Sequence, residues 1–172
     1  MSTTRWCEDN GPQTGSPLKG TYRTADGTVT NCNWKSVDDV VTPIASASLT
    51  AGTNSYSKYQ FVQFITGFTQ ISNVKFSHSL GSMLTGVTLK AATSATYATP
   101  VAAAVAGLAD VSTAPSTPVS VLLGTAGPET AASATLAAAG YTAFLITQLL
   151  TTTAAVGGTT APATMLLTWD EQ

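Results

Sequence analysis

Charge is what this chain lacks most. Only 16 of its 172 residues are formally charged, 7 basic and 9 acidic, which is 9% against the roughly 25% usual for soluble proteins. A net charge of −2 and a pI near 5.1 exclude a nucleic-acid binder, which needs a basic face to neutralise phosphates. No stretch approaches 18 consecutive apolar residues, so no membrane-spanning helix is read and no membrane partner is expected. The opening MSTTRWCEDNG has neither the basic nor the apolar region of a signal peptide. The expectation is a protein used without Sec export, or a mature form with an added Met.

Cysteine and histidine are equally scarce. Cys7, Cys32 and His78 fall short of a zinc site, which takes about four ligands at metal spacing. A Cys7–Cys32 disulfide would close a 24-residue interior loop and stabilise by about 3 kcal/mol in the loop-entropy picture. An intrachain bridge, two thiols and an intersubunit bridge all stay open from the sequence.

What is abundant is threonine (31), alanine (26) and serine (16). Much of the 44% hydrophobic fraction is therefore alanine rather than large core-forming side chains. Positive mean hydropathy and small net charge exclude disorder driven by charge. The charges are also unevenly placed, with ten in residues 1–58 and only Asp110 and Glu129 in residues 91–169.

Residues 1–43 combine this charge with turn formers (Asn10-Gly11-Pro12, Gly15-Ser16-Pro17, Asp26-Gly27) and few large apolar side chains. This pattern predicts an extended N-terminal arm or loop-rich annex, with a short hairpin at Asp26-Gly27 flanked by Tyr22 and Val29. Its ordering is expected to come from contact with the sandwich, a neighbouring copy or another protein, and an intersubunit clasp would place Trp6 and Trp34 as buried interface anchors.

Residues 44–172 read as a β domain. A short alternating stretch at Ser46–Thr50 precedes YSKYQFVQFIT (Tyr56–Thr66), which is too rich in Tyr, Phe, Val and Ile for a surface helix. Further strands are predicted at Ser72–Ser79, Leu84–Lys90, Thr96–Val105, Val119–Leu123, Gly140–Thr151 and Ala163–Trp169. ETAASATLAAA (Glu129–Ala139) suits a short helix or a loop equally. Short strands at this spacing predict an all-β antiparallel sandwich of jelly-roll type. Its expected core includes Phe61, Phe64, Phe76, Leu89, Phe144, Ile146 and Leu167.

Candidate chemistry is thin. The acidic pairs Glu8-Asp9, Asp38-Asp39 and Asp170-Glu171 would point to opposite faces of a strand and are expected to be solvated. No DxDxDG calcium loop accompanies them. His78 lacks a nucleophile elbow or any oxyanion machinery nearby, so a packed or interface role is expected. Gly157-Gly158 reads as a hairpin loop, because no GK[ST] follows it. No catalytic residue, metal site or cofactor is assigned.

VKFSHS, LTGVTLKAATSATYATPVAAAV and YTAFLITQLLTTTAAVGGTTAPATMLLTWDEQ carry a resemblance. The segment from Val74 to Trp169 resembles β-sandwich structural proteins of tailed-bacteriophage virions. The resemblance implies a non-enzymatic building or decoration protein of a capsid, neck or tail, assembled in the host cytoplasm. Its implied partners are copies of itself and other virion proteins, with no cofactor. The competing expectation is an extracellular adhesin or carbohydrate-binding module, in which Trp6, Trp34 and Trp169 would stack on sugar rings.

Overall fold

The computed structural model describes residues 1–24, 33–80, 83–112, 118–158 and 163–172. Of residues 78–80 and 163 it describes only the backbone. Among the described residues there are twelve strands: β1 (Thr3–Thr14), β2 (Lys19–Thr24), β3 (Lys58–Thr66), β4 (Ile71–Leu80), β5 (Val87–Ser94), β6 (Ala109–Asp110), β7 (Val119–Ser120), β8 (Leu123–Gly124), β9 (Thr135–Leu136), β10 (Gly140–Thr142), β11 (Phe144–Thr151) and β12 (Ala163–Glu171). The only helical pieces there are single 3₁₀ turns at Ile44–Ser46 and Pro128–Thr130.

Every pairing is antiparallel, as expected, and the strands form two sheets. The larger runs β2-β1-β3-β11-β5-β6, with β10 also on β3 and β8 on β10. The smaller runs β12-β4-β7, with β9 also on β4. Among the described residues this eight-plus-four division is that of an all-β antiparallel sandwich.

The period-2 pattern explains the core. Along β3 the side chains of Gln60, Val62 and Phe64 share one face, and Tyr59 and Phe61 share the other. The first face meets the small sheet: Val62, Phe64, Ala91 and Leu145 pack on Ile71, Val74, Phe76 and Leu136. The second face packs Cys7, Tyr59, Phe61, Phe144 and Ile146 around Tyr97. Ring centroids there lie 4.8 Å apart for Tyr59–Tyr97 and 5.7 Å for Phe61–Phe144. Six of the seven expected core residues are buried, and Leu167 is half-buried.

The N-terminal segment is a correction. Thr3–Thr14 is a sheet strand, paired with β3 in one register from Thr4↔Phe64 to Asp9↔Tyr59, with a shift before it at Thr3↔Thr66, and Lys19–Thr24 is its hairpin partner. An arm covering residues 1–43 therefore does not describe these strands. Gly11 and Pro12 read locally as a turn; here they sit at a register shift in the β1–β2 pairing, between Asn10↔Tyr22 and Gln13↔Gly20, where Gly11 takes a φ of 79°. The hairpin expected at Asp26-Gly27 lies outside the described residues.

Smaller corrections follow from the two-sheet arrangement. Thr96–Val105 is irregular rather than a strand, and Ser46–Thr50 is a 3₁₀ end followed by coil. The stretch Val119–Leu123 divides between sheets, since β7 joins β4 and β8 joins β10. Glu129–Ala139 holds part of a 3₁₀ turn and β9. Gly140–Thr151 breaks at Ala143, where Thr142 Oγ1 accepts the Val62 N–H at 3.0 Å. Gly157 and Gly158 lie in a crossover, because β11 and β12 belong to different sheets.

Candidate functional site

The segment 33–57 closes one end of the large sheet, and buried charge fixes it there. Lys58 Nζ reaches Glu8 Oε1 at 2.9 Å and the Asp39 carbonyl at 3.1 Å. Glu8 also accepts from Asn10 Nδ2 at 2.8 Å and Gln60 Nε2 at 2.9 Å. Asn10 and the Gly11 N–H donate in turn to Asp38, at 2.9 and 2.7 Å. Lys35, fully buried, donates to Asp39 Oδ1 at 2.8 Å and the Thr42 carbonyl at 2.7 Å. Burial alone would raise the Asp39 carboxyl. The bonds from Lys35, Thr42 and Val41 outweigh it and hold that carboxyl well below its ordinary range.

Glu8-Asp9 is therefore not a solvated turn pair, as the sequence led us to expect. Both residues are buried, and their strand alternation sends them to opposite faces. Asp9 takes both arms of Arg23, each at 2.7 Å, and Arg23 also reaches Glu129 at 2.9 Å. Its guanidinium lies 5.1 Å from the Phe61 ring centroid. Burial opposes the Arg23 charge, but the two carboxylates more than offset it and raise its pKa.

On this frame sits an apolar groove of about 480 Å³. Trp34, Ile44 and Leu49 come from the segment 33–57, and Val87 and Leu149 from β5 and β11. Leu84, Val156 and Gly157-Gly158 also line it, with the hydroxyls of Ser48, Thr50 and Thr151 among them. Backbone bonds tie the rim together: Gly52 N–H donates to the Thr152 carbonyl at 3.0 Å, and Thr152 N–H to the Gly86 carbonyl at 2.9 Å. Gly86 has φ of 75°, and a Cβ there would stand 2.8 Å from Ala155 Cα, so only glycine fits this approach. Trp34 donates its indole N–H to Thr147 Oγ1 at 3.0 Å. The groove can accept apolar groups, and among the described residues its lining carries no ionisable side chain.

The residues singled out by sequence fall in separate places. Trp6 packs against the inter-sheet core, and Trp34 lies at the groove. Trp169 stacks edge-on to Phe64 at 5.3 Å. All three are half-buried; Trp6 and Trp169 pack against the same core cluster, and Trp34 lies apart from them at the groove. Cys7 is buried among the aromatics of the second core cluster, whereas Cys32, and with it the proposed bridge, lies outside the described residues. His78 belongs to β4, and its side chain is likewise outside them. No group of three or more His, Cys, Asp or Glu among the described residues is placed to hold a metal ion. The Glu8–Lys58–Asp39 network was missed because its members come from segments far apart in the chain.

No family model, curated protein or solved structure matches this chain.

Proposed function

We propose that this protein is a non-enzymatic structural component of a phage virion, assembling on or stabilising a capsid, neck or tail through copies of itself and other virion proteins. The observation that carries the reading is the poverty of surface charge. Of the 16 charged residues, Glu8, Asp9, Lys35 and Lys58 are withdrawn from a surface of 8344 Å². Ile44, Val101, Leu122, Val156 and Leu166 are exposed on that same surface. A monomer so weakly charged is poorly protected against association, and burial in an assembly removes the liability. The resemblance of residues 74–169 to tailed-phage sandwich proteins supplies the virion setting.

The test is compositional. Virus particles purified from lysates that contain this chain should carry it in fixed stoichiometry with their other structural proteins. Recovery of the chain only in the particle-free fraction would overturn the reading.

A further inference from the structure

We infer that the free edge of β12 is a self-association surface, on which β12 of a second copy pairs antiparallel about a two-fold axis at Leu166. The inference rests on the assembly reading above and names the surface that would serve it.

The edge is long, and among the described residues no strand covers it. β12 ends the small sheet, and among the described residues it pairs only with β4, over Ala163↔Leu80 to Glu171↔Ile71, with a register shift between Thr168 and Asp170 that leaves Ala163–Thr168 regular. Among the described residues, its other side leaves a row of backbone N–H and C=O groups open to another strand. Proteins usually blunt such edges with lysine, proline, inward charges or very short strands. The other edges here follow that rule. Among the described residues, β2 carries Lys19 and Arg23, β6 is two residues ending in Asp110, and β7, β8 and β9 are two residues each. β12 has nine residues, and from Ala163 to Trp169 it contains neither a charge nor a proline.

The sequence of the edge selects its occupant. Thr164, Leu166 and Thr168 are exposed on the outer face, while Met165, Leu167 and Trp169 are half-buried toward the core. An antiparallel partner must oppose outer residues with outer residues, so the axis has to pass through a residue rather than between two. Centred on Leu166, the strand is its own complement. Thr164 then opposes Thr168 of the second copy, Met165 opposes Leu167, and Leu166 opposes itself. Thr–Thr and apolar cross-strand pairs are the favourable kind. Leu166, 51% exposed in the single chain, would be covered by its own counterpart.

Charge fixes the direction. A parallel copy in register would set Asp170 beside Asp170 at the spacing of neighbouring strands, about 4.8 Å. The antiparallel arrangement carries the two carboxylates to opposite ends of the joint. The contact is isologous, so it closes as a dimer and joins two small sheets into one.

The experiment combines light scattering with cysteine trapping on the full chain. At the axis, opposed Cα atoms lie about 4.5–5.5 Å apart, within disulfide range. Oxidised Leu166→Cys should therefore form covalent dimers that the wild type does not form under the same oxidant. In this register two Thr164 residues are offset by four positions, roughly 13 Å, beyond disulfide reach. Thr164→Cys and Thr168→Cys should each stay uncrosslinked alone and crosslink when mixed. Leu166→Lys, an exposed change, should keep the far-ultraviolet spectrum and weaken dimerisation at least tenfold. If Thr164→Cys alone crosslinks as readily as Leu166→Cys, the register is wrong and the inference falls. If the wild type associates but Leu166→Cys does not crosslink and Leu166→Lys has no effect, this edge is excluded while the assembly reading stands. A wild type that stays monomeric at every concentration, with no trapped Leu166→Cys dimer, overturns the self-pairing, and absence from particles would overturn the assembly reading separately.

Discussion

Lys58 Nζ and Glu8 Oε1 meet 2.9 Å apart, and neither side chain has any exposure. The two residues are 50 positions apart in the chain. They meet because β1 and β3 pair with Glu8 opposite Gln60, which places Lys58 diagonally beside Glu8 on the same face. The pair fixes both the β1 register and, through the Asp39 carbonyl, the segment that forms one side of the groove.

Removing both members should therefore cost less than the two single losses added together. Lys58→Met strands a buried carboxylate and is expected to cost about 3–5 kcal/mol, the range for breaking a buried ion pair. Glu8→Gln combined with Lys58→Met should cost clearly less than the sum of the two single changes. Urea denaturation of the three variants measures this. Additive losses would mean that the pair is not coupled.

Gln148 makes an equally specific prediction about the irregular 101–105 segment. Its Nε2 lies 2.9 Å from the Ser55 carbonyl, 3.1 Å from that of Val101 and 2.9 Å from that of Ala103. Its Oε1 accepts the Val105 N–H at 2.9 Å. Gln148→Leu keeps the volume but removes every one of these bonds. Each buried polar group left unpaired costs on the order of 1–3 kcal/mol, so a loss of at least about 2 kcal/mol is expected. Hydrogen exchange at the Val105 amide should accelerate relative to amides of β3 and β11. Unchanged exchange would show that other contacts hold the segment.

Acid should expose the contribution of Glu171. Its carboxylate accepts from Ser2 Oγ at 2.6 Å and Ser2 N at 2.8 Å. These bonds hold its pKa at about 2, down from 4.5. Between those values the unfolded chain binds the proton more readily than the folded one, so stability falls as pH drops from 4.5 toward 2. Glu171→Gln should be less stable than the wild type near neutrality and should lose less between pH 5 and pH 2. An identical acid limb in variant and wild type would remove Glu171 from the account.

Much of the architecture is written locally in the sequence. The aromatic run of β3, the alternation of β4 and the apolar runs of β11 and β12 all mark half-buried or buried strands, because side chains alternate faces with period two. Phe61, Phe64, Phe76, Leu89, Phe144 and Ile146 are recognisable as core on the same ground. The scarcity of charge is read directly and underlies the proposed role.

The tertiary structure alone decided the place of the N-terminus and the making of the groove. The segment TTRWCEDNGPQT carries charge, glycine and proline, and nothing local marks it as a strand. Glu8, Asp9 and Asn10 can be buried only because Lys58, Gln60, Arg23 and Asp38 reach them from elsewhere in the chain. Local pattern reports which face a side chain prefers, whereas the cost of burying a charge depends on partners that only long-range pairing brings within reach. For the same reason the division of residues 119–124 between two sheets, and the groove between segment 33–57 and the ends of β5 and β11, follow from how the sheets pack.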